Sequence, residues 1–345
     1  MINVAINGFG RIGRMALRAG WNDKTLNFVA INDLADTKAL AYLLKYDTVH
    51  GPFDKEIKHT PDSLIIGHKN VKVLAEKDPS KLPWKKLRVD VVIESTGHFT
   101  KPQDAAIHLT AGARKVLISA PCKCEDKVCP INTTTLVYSV NHQTYNKKVH
   151  HIISNASCTT NCVAPVLKVV EDAVGIKDCF FTTVHAYTAT EKLVDGSGEK
   201  DLRRTRAAGV NIIPTSSGAD IATVQAIPEL RGKVRGSAFR VPVVNGSVTT
   251  FTIETKKPVT PEKINKLFAQ AAKGKYKKII QYSTDELVSS DIIHNPHSAI
   301  FDSLLTTVVN SHLLEIVAWY DNEWGYSNRL VDMVSGLSKF KNSIF

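Results

Sequence analysis

Short aliphatic and β-branched runs alternate with helix-like stretches through the first part of the chain. Asn3-Val4-Ala5-Ile6, Phe28-Val29-Ala30-Ile31, Val71-Lys72-Val73-Leu74, Val89-Asp90-Val91-Val92-Ile93 and Lys115-Val116-Leu117-Ile118 read as strands, with positions 39–44 and 102–111 as helices between them. That alternation predicts a parallel sheet wrapped by helices. Beyond Phe180 the strands lengthen and alternate apolar with polar residues, as in Val248-Thr249-Thr250-Phe251-Thr252-Ile253-Glu254-Thr255. This is the pattern of a mostly antiparallel sheet with one face covered. Thr260-Pro261-Glu262 opens a helix with a capping hydroxyl, a first-turn proline and an acidic residue, and Gly274 closes it. Positions 314–320 read as a last strand and 325–339 as a closing helix, with no internal repeat anywhere.

Composition narrows the class. A chain of 345 residues that is 43% hydrophobic can fill two ordinary domains, and 22% charged residues exclude a largely disordered or fibrous protein. No apolar run approaches the roughly 20 residues that cross a bilayer. The N-terminus enters a strand pattern without a basic region or cleavage site, so a cytoplasmic location without a membrane partner is expected. A formal net charge of +11 raises the question of polyanion binding. The lysines are scattered, however, and no basic stripe interleaved with aromatics is present, so nucleic acid is not expected as the primary partner. Six cysteines spread over the chain fit a reducing compartment better than a disulfide framework.

Two segments carry chemistry. Gly8-Phe9-Gly10-Arg11-Ile12-Gly13 lies between the first strand and a helix, the context that a dinucleotide fingerprint requires. Gly8 permits the tight turn, Gly10 lets the backbone approach a pyrophosphate, and Gly13 allows the helix to pack closely on the sheet. Asp33, at the end of the next strand, can accept hydrogen bonds from a ribose and would repel a 2′-phosphate, which makes NAD the favoured cofactor. The second segment, Ser154-Asn155-Ala156-Ser157-Cys158-Thr159-Thr160-Asn161-Cys162, runs from a strand into a helix. Cys158 is expected at a helix N-terminus, where the dipole and free N–H groups favour a thiolate nucleophile. His185, at the end of a later strand, is a candidate ion-pair partner and base, although the residues alone do not bring the two together.

The blocks 154–162 and 182–190, with Ala238-Phe239-Arg240-Val241-Pro242 and Trp319-Tyr320-Asp321-Asn322-Glu323-Trp324-Gly325-Tyr326, resemble the phosphorylating glyceraldehyde-3-phosphate dehydrogenase family along essentially the whole chain. The resemblance implies a Rossmann-type doubly wound parallel sheet plus an α+β catalytic domain with a mostly antiparallel sheet. It divides the chain into a dinucleotide-binding domain at 1–157, completed by the C-terminal helix 323–345, and a catalytic domain at 158–322. By resemblance, Cys158 attacks the aldehyde, His185 acts as base, and inorganic phosphate cleaves the thioester to 1,3-bisphosphoglycerate. Thr188 and Arg240 match the positions for the substrate phosphate, and Ser157, Thr159, Ser217 and Gly218 those for the attacking phosphate. Arg11 and Ile12 match positions near the cofactor pyrophosphate, Thr96 and Ser119 positions at sheet ends, and Asn322 the residue that holds the nicotinamide carboxamide. The polar stretch 189–208 resembles a loop that packs across subunits, so a homotetramer is expected.

Two departures from the family pattern stand out. Gly196-Ser197 occupies a place where many NAD-specific members have Leu-Pro or Gly-Pro, which keeps dual use of NADP open against the opposing Asp33. Cys122, Cys124 and Cys129 form a Cys-x-Cys-x₄-Cys cluster that lacks an evident fourth ligand, so a metal site is not expected there, and an inert or opportunistically oxidised loop is. The competing readings are an erythrose-4-phosphate dehydrogenase, disfavoured by the retained Thr188, and a nucleic-acid-binding protein with a vestigial site.

Overall fold

The computed structural model describes residues 1–124, 129–198 and 201–340. The chain divides into two compact units. The first comprises Met1–Leu136, His142–Ala156 and Ser327–Phe345, and the second Val137–Asn141 and Ser157–Tyr326. The junctions lie after Ala156 and Tyr326, where the family resemblance implied 157 and 322, and Val137–Asn141 belongs to the second unit.

The first unit is built on a nine-stranded sheet. Its strands are β1 (Ile2–Asn7), β2 (Leu26–Asn32), β3 (Ile57–Thr60), β4 (Ser63–Ile66), β5 (Lys69–Leu74), β6 (Val91–Glu94), β7 (Lys115–Ile118), β8 (Thr133–Thr135) and β9 (Ile152–Ser154). The order across the sheet is β3-β4-β5-β2-β1-β6-β7-β9-β8. All pairings are parallel except those of the β3–β4–β5 edge. The order reverses direction between β1 and β6, and such a switch point opens a crevice at the carboxyl ends of the strands. Ala5, Ala30, Trp84, Val89 and Val92 form part of the core beneath it.

Helix α1 (Arg11–Gly20) follows β1, and α2 (Thr37–Lys45) follows β2, capped by Asp36. The helix expected over 102–111 is interrupted. It forms two four-residue turns, α3 (Pro102–Ala105) and α4 (Ile107–Thr110), because the Ala106 N–H divides between the carbonyls of Asp104 and Pro102. The β3–β4 hairpin, joined at Pro61-Asp62, was not among the strands read from the sequence pattern.

In the second unit, helix α5 (Cys158–Val174) precedes a seven-stranded sheet. Its strands are β10 (Ile176–Ala186), β11 (Ile213–Ser216), β12 (Val234–Val241), β13 (Ser247–Thr255), β14 (Ile280–Ser283), β15 (Ala299–Val309) and β16 (Leu313–Tyr320). Their order is β11-β12-β10-β13-β16-β15-β14. Four pairings are antiparallel, while β10–β12 and β14–β15 are parallel, so the sheet is mixed with an antiparallel majority. Helix α6 (Ala219–Ala226) packs on α5. Helix α7 (Pro261–Lys273) begins and ends where its caps predict, with the Thr260 hydroxyl accepting from the Lys263 N–H. It buries Ile264 and Phe268, and Phe268 stacks on Phe301 with ring centroids 3.9 Å apart. The closing helix α8 spans Trp324–Leu337.

The glycine turn after β1 is set by space. Gly8 sits at φ +90°, and a Cβ there would lie 2.6 Å from the Thr96 nitrogen. At Gly13 a Cβ would lie 2.3 Å from the Gly8 carbonyl oxygen. Gly8→Ala is therefore expected to cost about 3 kcal/mol of stability through backbone strain and overpacking. Urea unfolding would check this, and a loss below about 1 kcal/mol would show that the turn yields.

Candidate active site

In the first unit, a cavity of about 500 Å³ lies over the carboxyl ends of β1, β2 and β6, lined by Asn7, Gly8, Gly10, Asn32, Asp33 and Thr96 among others. The residues fit a dinucleotide. A Cβ on Gly10 would meet nothing within 4 Å, so the ground before α1 is open. No side chain caps that helix and no acidic residue lies in its first turn, leaving a helix N-terminus suited to a pyrophosphate. Asp33 stands at the cavity with its Oδ2 accepting the Phe9 N–H at 2.7 Å and its Oδ1 the Ala35 N–H at 3.0 Å. These bonds hold the carboxylate in place and leave it lone pairs for ribose hydroxyls.

Arg11, Ile12, Gly13 and Ser119 do not line this cavity. Arg11 forms an ion pair with Asp47 from the first turn of α1. Burial of Asp47 works against its ionisation, but Arg11 and the N–H groups of His50 and Val49 hold its carboxyl below the usual range. Gly13 acts indirectly, by allowing α1 to lie against Gly8. Ser119 follows β7, with its N–H on the Glu94 carbonyl at 2.9 Å.

In the second unit, Cys158 is the first residue of α5, as its sequence context predicts. Ala156, in the left-handed region at φ 53°, turns the chain into Ser157, whose hydroxyl caps α5 by accepting the Thr160 N–H at 3.0 Å. Strain of this kind is retained where the surrounding structure fixes a functional turn. The register of β10 carries His185 to this helix end, and its Nε2 lies 3.3 Å from the Cys158 Sγ. The tertiary structure thus makes the pair that the residues alone left open.

The electrostatics differ from the sequence expectation. Burial pushes the Cys158 thiol up, and the Arg240 charge and the N–H groups of the first turn of α5 only partly oppose it. Burial, with Arg240 adding to it, pushes His185 down to about 3. Both shifts favour the uncharged forms, thiol and imidazole, because desolvation opposes the effect of the helix terminus. The Ala186 carbonyl lies 2.7 Å from His185 Nδ1. Arg240 Nη1 contacts the same Nδ1 and also donates to the Ala186 carbonyl at 3.1 Å, so guanidinium and imidazole compete for one acceptor.

Thr188 and Arg240 meet at Glu191. The Thr188 N–H and hydroxyl donate to Glu191 Oε2 at 2.9 and 3.1 Å, and Arg240 Nε lies 3.5 Å from Glu191 Oε1. Glu191 is fully buried as a side chain and was not singled out from the sequence. It adjoins the 182–190 block, but a lone glutamate in a polar loop carries no periodic signal. Tyr320 was also missed as a functional residue. Its hydroxyl meets Thr159 Oγ1 at 3.0 Å and Thr183 Oγ1 at 2.7 Å, and its ring lies edge-on to His185. Ser217 accepts the Ala219 N–H at 3.2 Å, and Gly218 immediately precedes α6. Asn322 lies at the end of β16, with its Oδ1 accepting the Gly246 N–H at 3.1 Å and the Ser247 hydroxyl at 2.8 Å. A backbone donor thus fixes which amide atom is the oxygen.

Cys162, one turn along α5, is fully buried, with its thiol pushed up by burial. Cys124 and Cys129 are joined in a single disulfide, within the loop expected to be inert or opportunistically oxidised. The residues between them, 125–128, lie outside the described residues. Cys122 is free, and burial pushes its thiol up to about 11. No group of three or more metal-ligating side chains occurs among the described residues.

Residues 2–102 match the family described as the glyceraldehyde 3-phosphate dehydrogenase NAD binding domain, and residues 157–322 match the C-terminal domain of the same enzyme. The chain is 51% identical over 334 residues to the glyceraldehyde-3-phosphate dehydrogenase of Streptomyces coelicolor, covering 96% of this chain and 97% of that protein. It is 48% identical to the enzyme of Geobacillus stearothermophilus, covering 97% of each, and 47% identical to glyceraldehyde-3-phosphate dehydrogenase 2 of Bacillus subtilis, covering 96% of each. With a dinucleotide cavity in one unit and a helix-terminal cysteine against a histidine in the other, the chain belongs to the glyceraldehyde-3-phosphate dehydrogenase family, and its N-terminal unit is an NAD-binding domain.

Proposed function

We propose that this protein oxidises glyceraldehyde 3-phosphate with NAD and inorganic phosphate to 1,3-bisphosphoglycerate through a thioester on Cys158. The observation that carries the reading is the 3.3 Å approach of Cys158 Sγ to His185 Nε2 at the first turn of α5. A neutral imidazole is the form a base requires. His185 takes the thiol proton as Sγ bonds to the aldehyde carbon, and the imidazolium then donates to the oxyanion that forms. The backbone N–H of Cys158 supplies a second donor to that oxygen. Bound NAD supplies the acceptor for the hydride of the resulting hemithioacetal. His185 removes the hydroxyl proton as the C=O bond of the thioester forms. A phosphate oxygen then attacks the thioester carbon, and the Cys158 thiolate leaves with the C–S bond electrons.

The convergence of Thr188 and Arg240 on buried Glu191 supports their role at the substrate phosphate. A phosphate on Arg240 would draw the guanidinium from the imidazole edge and leave the Ala186 carbonyl to Nδ1–H, which favours proton uptake at Nε2. For the attacking phosphate, Ser157 caps α5, Gly218 precedes α6, and those two helices pack together, which supports the grouping of Ser157, Thr159, Ser217 and Gly218. Gly8, Gly10, Asp33 and Thr96 would hold the dinucleotide directly, Arg11, Ile12, Gly13 and Ser119 from the flanking backbone, and Asn322 the carboxamide. Asp33 supports NAD over NADP. Leu193, Val194 and Leu202 in the polar stretch 189–208, with Val210 and Ile212 just after it, are each at least 68% exposed, which supports burial against other subunits in a homotetramer. A cytoplasmic location agrees with the absence, among the described residues, of any helix long and apolar enough to cross a membrane.

The test is spectrophotometric, with glyceraldehyde 3-phosphate and either dinucleotide, with and without phosphate. Phosphate-dependent reduction of NAD is the expected result. Oxidation that runs equally well without phosphate would contradict the reading, and equal efficiency with NADP would remove the NAD preference.

A further inference from the structure

Beneath the dinucleotide cavity lies a buried polar chain whose direction is set at both ends. Trp84 Nε1–H can only donate, and it lies 3.0 Å from His108 Nδ1. Nδ1 is therefore the acceptor, and the proton of the neutral ring is on Nε2, which donates to Glu94 Oε2 at 3.1 Å. At the other end, the Glu76 N–H donates to Asn32 Oδ1 at 2.9 Å, so Asn32 Nδ2 is the donor to Asn7 Oδ1 at 2.7 Å. Asn7 Nδ2 in turn donates to Glu94 Oε2 at 2.6 Å. Glu94 Oε1 receives the Thr96 N–H at 2.8 Å and lies 2.5 Å from the Thr96 hydroxyl. His108 Nε2, Asn7 Nδ2 and the Thr96 N–H each bring a proton to Glu94; the Thr96 hydroxyl alone could take one, and three fixed donors favour the ionised carboxyl as the acceptor toward it. Glu94, 2% exposed, is held by these N–H and O–H dipoles, with His108 as its ring partner among the described residues.

This arrangement has a consequence for the cavity. The one hydroxyl proton of Thr96 is spent on Glu94, so Thr96 Oγ1 can only accept from other groups. One lone pair takes the His98 N–H at 3.1 Å, and the other is what Thr96, which lines the cavity, can offer a ligand. We infer that Glu94 is a positioning residue for the dinucleotide, which fixes Thr96 as an acceptor for a ribose hydroxyl and not as a donor to a phosphate oxygen. The inference rests on the dinucleotide reading of the first unit and is independent of the aldehyde chemistry. His108 and Trp84 support it from behind, by holding the carboxylate in one orientation.

The test measures binding by calorimetry, without turnover, using NAD and inorganic pyrophosphate as separate probes. In Thr96→Val the NAD Kd is expected to rise about tenfold, the size of one lost hydrogen bond, while the pyrophosphate Kd stays within about twofold. Thr96→Ser, which keeps the hydroxyl, should restore the NAD Kd to within about twofold. Glu94→Gln places an amide NH₂ among converging donors and should raise the NAD Kd by about tenfold or more. Equal weakening of both probes in Thr96→Val, or an unchanged NAD Kd, would overturn the inference. If Glu94→Gln does not fold, the two Thr96 variants decide the polarity by themselves. Failure of the native protein to bind NAD would remove the dinucleotide reading itself, an outcome distinct from any difference between variants.

Discussion

Cys158→Ser is expected to lower phosphate-dependent oxidation by about 10⁴-fold, because a serine hydroxyl here has a far higher pKa than a thiol and cannot form the thioester. The change removes only a little packing volume and leaves the Ser157 cap of α5 in place. Stability and NAD binding should therefore stay close to those of the native protein, since the dinucleotide cavity is lined by other residues. Cys162 is the natural control. It lies on the same helix, but it is fully buried and its thiol is pushed up by burial, so Cys162→Ala should keep most of the activity. Single-turnover release of reduced nicotinamide in both variants checks this. Activity of Cys158→Ser within tenfold of native, or a burst lost equally in Cys162→Ala, would move the nucleophile elsewhere.

His185→Ala is expected to cost about 10³-fold at neutral pH, the usual range for loss of a positioned base. The pH dependence should separate this role from packing. Burial pushes the Cys158 thiol above its ordinary value and His185 down to about 3, so the free native site enters neutral solution as thiol and imidazole. The imidazole is then available as a base throughout the working range. Without it, the thiol must lose its proton to solvent, and the thiolate fraction rises tenfold per pH unit below the thiol pKa. The variant should therefore gain on the native protein as pH rises. Parallel pH profiles, or a loss below tenfold, would show that His185 serves only to pack against Tyr320.

The two effects depend on features that were legible to different degrees. Periodicity and turn chemistry suffice for β1, β2, α7 and β16, because β1 and β2 are buried apolar runs, β16 buries one face and α7 carries its own cap. The β3–β4 hairpin escaped although Pro61-Asp62 marks its turn, because its four-residue strands are too short for a clear alternation, and the break at Ala106 has no local signal. The glycines of the first turn were readable because steric exclusion is local: a Cβ at Gly8 or Gly13 meets backbone within the same supersecondary unit.

By itself the sequence determined the doubly wound first unit, the dinucleotide turn with Asp33, and the placement of Cys158 at the start of a helix, because each depends on residues close together in the chain. Only the tertiary structure decided what surrounds them. The approach of His185 to Cys158 depends on strand register, and the thiol's neutral form depends on burial, which no local pattern encodes. The same holds for Glu191 between Thr188 and Arg240, for the Cys124–Cys129 bond, and for the buried carboxylate of Glu94. A polar side chain's charge and hydrogen-bond direction are properties of its neighbours, and those neighbours are brought together by the fold.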